Sequence, residues 1–414
     1  MQKTASHIIK DKQFYKFALY GFLKNLRFFE PFIVIFLLSK NINLLEIGIL
    51  FSIREIAKNI LEIPSGIIAD TIGRRKTLAF AFLIYIVSFL TFYFFTGFVF
   101  YLIAVTFFAV GDAFRSGVNK AIMVTYLEQT NQINLKTDYY GHTRSWSQLG
   151  SAISSLAGGA ILFLSENFNL IFLFSTLPYI IDFFIILSYP KTLDKINSKQ
   201  KNKSVKNKLS EIFKTFILSI KNKKQIIILT NVSIYSGLYK TLKEFIQPIL
   251  KLLILQYPFF LYLSEKQRIS VGFAIIYFII FIINSFASRY AFKVSKLFKS
   301  ENKFLNFSLI IGVIIGIVSG IILKFYTSVF VIILLILIFL IENLRKPSGI
   351  NLITKTTDSK IHASILSLNS QLSSLFAAIF MILIGFLSKF TEISTSITII
   401  SLSILILFPF IKVK

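Results

Sequence analysis

The chain of 414 residues contains no cysteine, which excludes disulfides and thiolate metal centres and says nothing further about compartment. Acidic residues are scarce: 19 Asp and Glu stand against 45 Lys and Arg, for a formal charge of +26. An excess of this size can mark a nucleic-acid binder. Here, however, the lysines gather in alternate breaks between apolar runs, which is the positive-inside signature of a membrane protein, so no nucleic-acid partner is expected. The sequence offers no phosphate-cradling glycine loop, no metal-ligand cluster and no nucleophile–base set. Primary pumping and membrane enzymology therefore lack residues, and no enzymatic activity, cofactor or metal is expected. The three histidines, His7, His142 and His362, read as loop or tail residues.

What the chain has in abundance is apolar surface. Hydrophobic residues make up 55%, 47 of the residues are Phe, and the mean hydropathy is +0.73. No water-soluble domain needs that much, so the lipid bilayer is the expected solvent. A spanning helix takes about 20 mostly apolar residues. Such segments are predicted at 15–39, 45–69, 77–97, 99–127, 142–164 and 169–190, then at 225–255, 270–293, 304–323, 327–350, 362–388 and 393–411. The expected fold is an all-α membrane protein with twelve transmembrane helices in two pseudo-symmetric six-helix bundles. Basic residues crowd the breaks on one side: Arg74, Arg75 and Lys76; Lys136 and Arg144; Lys293, Lys296, Lys299 and Lys303; Lys355 and Lys360. The opposite breaks, around Gly97, residues 165–169 and Lys389, are short and nearly neutral. Both termini are therefore expected in the cytoplasm. The start, MQKTASHIIKDKQFYK, has no small-residue cleavage site and reads as a tail.

The longest polar break, 191–224, is rich in Lys and Asn and turns weakly amphipathic from Leu209 to Ile220. It suits a cytoplasmic linker with a short interfacial helix on anionic lipid, dividing the chain into bundles 1–190 and 225–414. The halves also share short strings in order. GDAFRSGVN (111–119) recurs as IENLRKPSGIN (341–351), keeping an acid and an Arg three apart, and WSQLGS (146–151) recurs as NSQLSS (369–374). An internal repeat with a site between its copies is a common plan for secondary transporters.

Between the second and third segments stands GIIADTIGRRK (66–76), in which Gly66, Asp70, Gly73, Arg74 and Arg75 form G-x-x-x-D-x-x-G-R-R. Gly66 permits close helix packing, Gly73 a tight turn, and Asp70 can accept hydrogen bonds from a helix end. This resembles the signature loop of the major facilitator superfamily, and the twelve-segment plan carries the resemblance over the whole chain. The resemblance implies a latch that stabilises the outward-open state, with Asp70 as a gate residue. The family usually has a basic residue after the Asp, where this chain has Thr71, and the second-half counterpart NSFASRYAFK (284–293) has no acid. The fifth segment, GSAISSLAGG, keeps Gly150, Gly158 and Gly159 of the family's antiporter signature but has Ser154 and Ser155 in place of its Gly-Pro pair. Those glycines fit an antiporter or simple helix packing.

Ionisable residues inside a spanning helix cost roughly 2.5 to 3.5 kcal/mol each on insertion scales, so each needs a reason. The heavily charged segments are 1, 4, 7 and 10, which the resemblance makes cavity-lining, and segment 2. The substrate-binding candidates are Arg27, Arg115, Asn119, Trp146, Gln148, Lys240, Glu244, Glu342, Arg345, Asn369 and Gln371. Glu30, directly before Pro31, and Asp112 are the candidates for proton coupling. The bland alternative is that the charges pair with one another and fix helix register, above all Asp112 with Arg115, Glu342 with Arg345, and Glu55 and Glu62 within segment 2. Basic residues outnumber acids along the cavity segments, which favours a ligand with a negative group, held between Arg115 and Arg345. The reading is a monomeric secondary transporter of the inner membrane that moves a small organic molecule by alternating access. Proton-coupled efflux of an anionic, zwitterionic or amphiphilic compound leads; uptake or exchange of an organic anion is the alternative. A channel or non-transporting receptor is the rival from another class.

Overall fold

Every regular element among the described residues is helical. The computed structural model describes residues 8–194, 210, 222–258, 260–326, 328–357 and 361–414. The interfacial helix expected over Leu209 to Ile220 lies outside them. In chain order the helices are α1 (Lys12–Leu23), α2 (Ile33–Ser39), α3 (Leu44–Ile72), α4 (Arg74–Phe94), α5 (Phe98–Arg115), α6 (Val118–Gln129), α7 (Lys136–Ser165) and α8 (Phe168–Leu187). After the linker come α9 (Lys223–Gln256), α10 (Glu265–Ser295), α11 (Glu301–Phe325), α12 (Phe330–Lys355), α13 (His362–Leu387) and α14 (Ile393–Ile411).

The chain is a multi-pass membrane protein. Eight helical stretches among the described residues are long and apolar enough to cross a bilayer: α4, α5 with α6, α7, α8, α10, α11, α13 and α14. The other long segments fall short for two reasons. Segment 1 is broken, and α3, α9 and α12 carry charge along their length: Arg54, Glu55, Lys58 and Glu62; Lys240, Lys243 and Glu244; Glu342, Arg345 and Lys346.

Two predicted helices are interrupted. Segment 1 is not continuous over 15–39: α1 stops at Leu23, the chain turns through residues 24–32, and α2 resumes at Ile33. Pro31 has no N–H to continue a helix through the break, and at the end of α1 the Asn25 side chain donates to Gly21 O at 2.7 Å while its backbone N–H turns to Phe22 O. Segment 4 breaks between α5 and α6 at Ser116 and Gly117, where Gly117 adopts φ 73°, a left-handed conformation that suits glycine. Non-helical backbone at membrane depth is tolerated only where protein or a polar cavity satisfies it. Both breaks carry charged or polar side chains.

The chain groups into two compact units that interleave along the sequence: Met1–Ile33, Ala57–Lys206 and Lys266–Phe281 form the first, and Val34–Ile56, Asn207–Glu265 and Ile282–Lys414 the second. In the first, α4 packs on α5 and α8, and α1 on α7. Gly150 and Gly158 of α7 lie against the backbone carbonyls of Phe22 and Phe28, where a Cβ would collide. In the second, α9 packs on α13 and α12, and α11 on α14 and α12.

Candidate functional site

The break after α1 is held by one face of α8. Ser175, Tyr179 and Asp182 recur on that face at helical spacing. Ser175 Oγ accepts from Phe28 N at 3.1 Å, and Tyr179 donates to Lys24 O at 2.8 Å. Arg27 Nε in turn donates to the Tyr179 hydroxyl at 2.8 Å. The guanidinium of Arg27 also lies 4.9 Å from the centroid of the Phe108 ring, where the ring's quadrupole favours a cation.

Asp112, near the end of α5, gathers the other charges. Its Oδ1 is 3.4 Å from Arg27 Nη2 and 3.0 Å from Arg115 Nη2, and it also accepts from the Tyr85 hydroxyl. Arg115 Nε donates to Tyr85 Oη at 2.9 Å. One carboxylate thus serves two guanidiniums, which leaves the cluster one positive charge in excess. Lys24 adds another: it makes no ion pair among the described residues and lies 5.5 Å from the centroid of the Tyr20 ring. Glu62 accepts from Ser116 at 2.7 Å, so it satisfies the α5–α6 break rather than a neighbour on its own helix.

The second unit arranges its charges differently. Glu55 accepts from Lys240 at 2.8 Å and from Ser374 at 2.9 Å, and Arg54 pairs with Glu244 at 2.8 Å. Gln247 accepts from Val34 N at 2.7 Å. Together these tie residues 34–56 to α9 and α13. The expected pair of Glu342 with Arg345 does not form. Glu342 accepts from Ser236 at 2.6 Å. Arg345 turns the other way, is 2% exposed, and donates to Leu305 O, to Ser308 Oγ at 2.8 Å and to Asn231 Oδ1 at 3.0 Å. Its guanidinium stacks 4.6 Å from the Tyr235 centroid.

The remaining candidates are dispersed. Asn369 accepts from Ser233 at 3.0 Å, and Asn119 donates to Met123 Sδ at 3.5 Å. Trp146 is exposed, with its ring 6.4 Å from that of Phe22, while Gln148 and Gln371 are half-buried. Glu30 sits within the break after α1, not inside a helix, and its N–H donates to Arg27 O at 3.0 Å. Among the described residues no group of three or more His, Asp or Glu could hold a metal ion.

The G-x-x-x-D-x-x-G-R-R loop joins α3 to α4 through Gly73 at φ 114°. Arg74 pairs with Asp70 at 3.4 Å and donates to Thr125 at 3.1 Å. Arg75 grips the far end of α8: its side chain donates to Tyr189 O at 2.9 Å, and its backbone N–H to Asp194 Oδ1 at 2.6 Å. Sequence reasoning missed Asp194, Tyr85, Tyr179 and Asp182. Of these, only the lone acid in the apolar run of α8 left a signal that could have been read.

Residues 18–381 match the family model described as Major Facilitator Superfamily. Over 105 residues the chain is 34% identical to the uncharacterized MFS-type transporter YxaM of Bacillus subtilis (strain 168), covering 25% of this chain and 26% of that protein. It is 26% identical over 214 residues to the uncharacterized MFS-type transporter MJ1560 of Methanocaldococcus jannaschii, covering 51% of this chain and 54% of that one. The matches therefore span between a quarter and about half of these relatives. Among solved structures, the nucleoside transporter NupG superposes with a TM-score of 0.76 at 15% identity, covering 97% of this chain and 98% of that chain, which is a likeness of fold.

Proposed function

The chain belongs to the Major Facilitator Superfamily, and from that premise we propose that it takes up or exchanges a small organic anion or zwitterion by alternating access, with the proton as coupling ion. It is a secondary transporter of a small solute; the charge of that solute, the direction and the coupling are the proposal. One observation carries it: Asp112 is shared by Arg27 and Arg115, and Lys24 beside them makes no ion pair among the described residues. Unpaired positive charge within a membrane is expensive, and a carboxylate or phosphate on the ligand would neutralise it through charge-assisted bonds. Arg27 and Arg115 are assigned as ligands, and Glu30 and Asp112 stay candidates for proton coupling. Asn119, Trp146, Gln148, Lys240, Glu244, Asn369 and Gln371 are candidates along the path. Glu342 and Arg345 are assigned to helix packing, because Arg345 would have to abandon buried partners to reach a ligand.

Uptake or exchange is preferred over efflux because the glycines of GSAISSLAGG have a packing role. Gly150 and Gly158 admit the carbonyls of Phe22 and Phe28, so they do not require antiport. NupG, the solved structure of similar fold, is a nucleoside transporter. The twelve-pass topology with cytoplasmic termini, the bundles 1–190 and 225–414, the inner-membrane location and the monomeric state complete the proposal. The loop of Gly66, Asp70, Gly73, Arg74 and Arg75 is assigned as the latch, with Asp70 as its gate residue.

The test is uptake by proteoliposomes of a labelled panel of organic anions, neutral nucleosides and lipophilic cations under an imposed pH gradient. Saturable uptake of one or more anions or zwitterions is expected, with Arg115→Lys weakening it. Transport of lipophilic cations alone, at full affinity in Arg115→Lys, would sink the reading.

A further inference from the structure

Asp182 stands in α8 in the apolar run LPYIIDFFIIL, is 0% exposed, and neither carboxylate oxygen makes a hydrogen bond. A carboxylate stripped of water and left without donors is among the costliest groups a membrane helix can hold, so its presence calls for a compensating ligand. Its surroundings narrow the choice. Tyr179, one turn earlier on the same face, is hydrogen-bonded to Lys24 O, which brings Asp182 to the break after α1. Lys24 is the charged group that acts on it electrostatically. Tyr20 of α1 and Tyr189 beyond the end of α8 interact with it in turn, and both are fully buried. From α7 comes Tyr139, beside Tyr189; its hydroxyl and that of Tyr189 also lack a hydrogen-bond partner. From α4 comes Tyr85, whose ring is 5.2 Å from that of Tyr179, and Arg27 is bonded to Tyr179 but engaged with Asp112.

A metal cation would need several oxygen ligands and would be repelled by Lys24. A proton needs neither. We propose that Asp182 is a proton-binding site, held as a neutral carboxylic acid in this conformation, with Lys24 as the counter-charge that receives the carboxylate when the proton leaves. The step balances simply: the O–H bond breaks, the proton passes to water, and the ammonium of Lys24 moves from the Tyr20 ring to the carboxylate. Lys24 can make that move because it lies at the start of the non-helical stretch 24–32. Substrate and Asp182 then compete for one cation. Protonated Asp182 leaves Lys24 free for a ligand anion, and ionised Asp182 takes it back. This last consequence rests on the anion reading above, whereas the proton site does not.

The experiment therefore uses no substrate. Full-length protein in liposomes on a solid-supported membrane is subjected to pH jumps and the displaced charge recorded. Infrared spectra of the same protein are examined for the C=O stretch of a protonated carboxyl, identified by its shift in D2O. The wild type should give both signals. Asp182→Asn, isosteric and always neutral, should lose that band and most of the displaced charge. Lys24→Gln should keep the band yet lose the same charge, because an ionised Asp182 would have no partner. Asp182→Glu should restore both signals and covers the case in which the Asn variant does not fold. Undiminished band and charge in Asp182→Asn, or wild-type behaviour in Lys24→Gln, overturns the proposal. So does a current on a Na+ jump at constant pH that Asp182→Asn abolishes. A chain that carries no organic anion could still pass this test, and one that does could still fail it.

Discussion

The strings GDAFR and IENLR place an acid and an arginine at the same spacing in the two halves, yet the folded protein uses them in opposite ways. Asp112 draws in Arg115 and, from a distant segment, Arg27. Glu342 and Arg345 form no ion pair; the arginine settles among neutral oxygens of Leu305, Ser308 and Asn231, and the acid takes a serine hydroxyl. A repeated motif preserved the residue types without preserving the chemistry. An arginine already satisfied by neutral acceptors at 2% exposure has little donor capacity left to offer. An arginine sharing a carboxylate with a second arginine has spare donor capacity, and that is what a ligand can use.

Exchanging the roles of the two arginines should break the comparison if it is wrong. The largest effect is expected at Arg345. Replacing it with Met leaves several buried acceptors unsatisfied and should cost on the order of 3 kcal/mol, seen as a much lower melting temperature in detergent and poor membrane yield. Arg115→Met should melt nearly normally but lose transport; if Arg115→Met unfolds the protein and Arg345→Met does not, the assignment is reversed. Next in size is Arg115→Lys, which keeps the charge and loses the planar fork. Affinity for the proposed anionic ligand should fall about tenfold, equivalent to roughly 1.4 kcal/mol, in an equilibrium binding measurement. Unchanged affinity would place Arg115 outside the ligand's reach. The smallest effect is expected at the loop: Asp194→Asn weakens the hold on Arg75 and should cost about 1 kcal/mol or less in stability while altering turnover. Turnover identical to wild type would mean that the tie between α8 and the loop carries no load during the cycle.

The apolar helices were legible because burial in lipid demands long greasy runs, and α4, α8, α11 and α14 follow their predicted segments closely. The charged residues of α3 were legible as a group but not by partner. Arg54, Glu55 and Glu62 all pair across to other segments, and helical periodicity says nothing about which segment comes alongside. The two breaks were the main loss. Pro31 and Gly117 were visible, but each is tolerated in a membrane helix when neighbours repair the backbone, so neither fixes a break without the tertiary contacts. Asp182 went unnoticed for a related reason. Its significance lies in what does not touch it, and that is a property of the packed bundle.

The two glycines of α7 carry a last consequence. Gly150 and Gly158 sit behind Phe22 and Phe28, bracketing the stretch that bears Lys24 and Arg27. A helix with no member in the charged cluster thus acts as the splint that sets where that cluster's cations stand. Adding a single methyl group at Gly158 would press on the peptide next to Arg27 and shift a guanidinium without changing any charge. The placement of the Arg27 guanidinium can therefore be retuned by carbon alone, at positions that a search for polar residues would pass over.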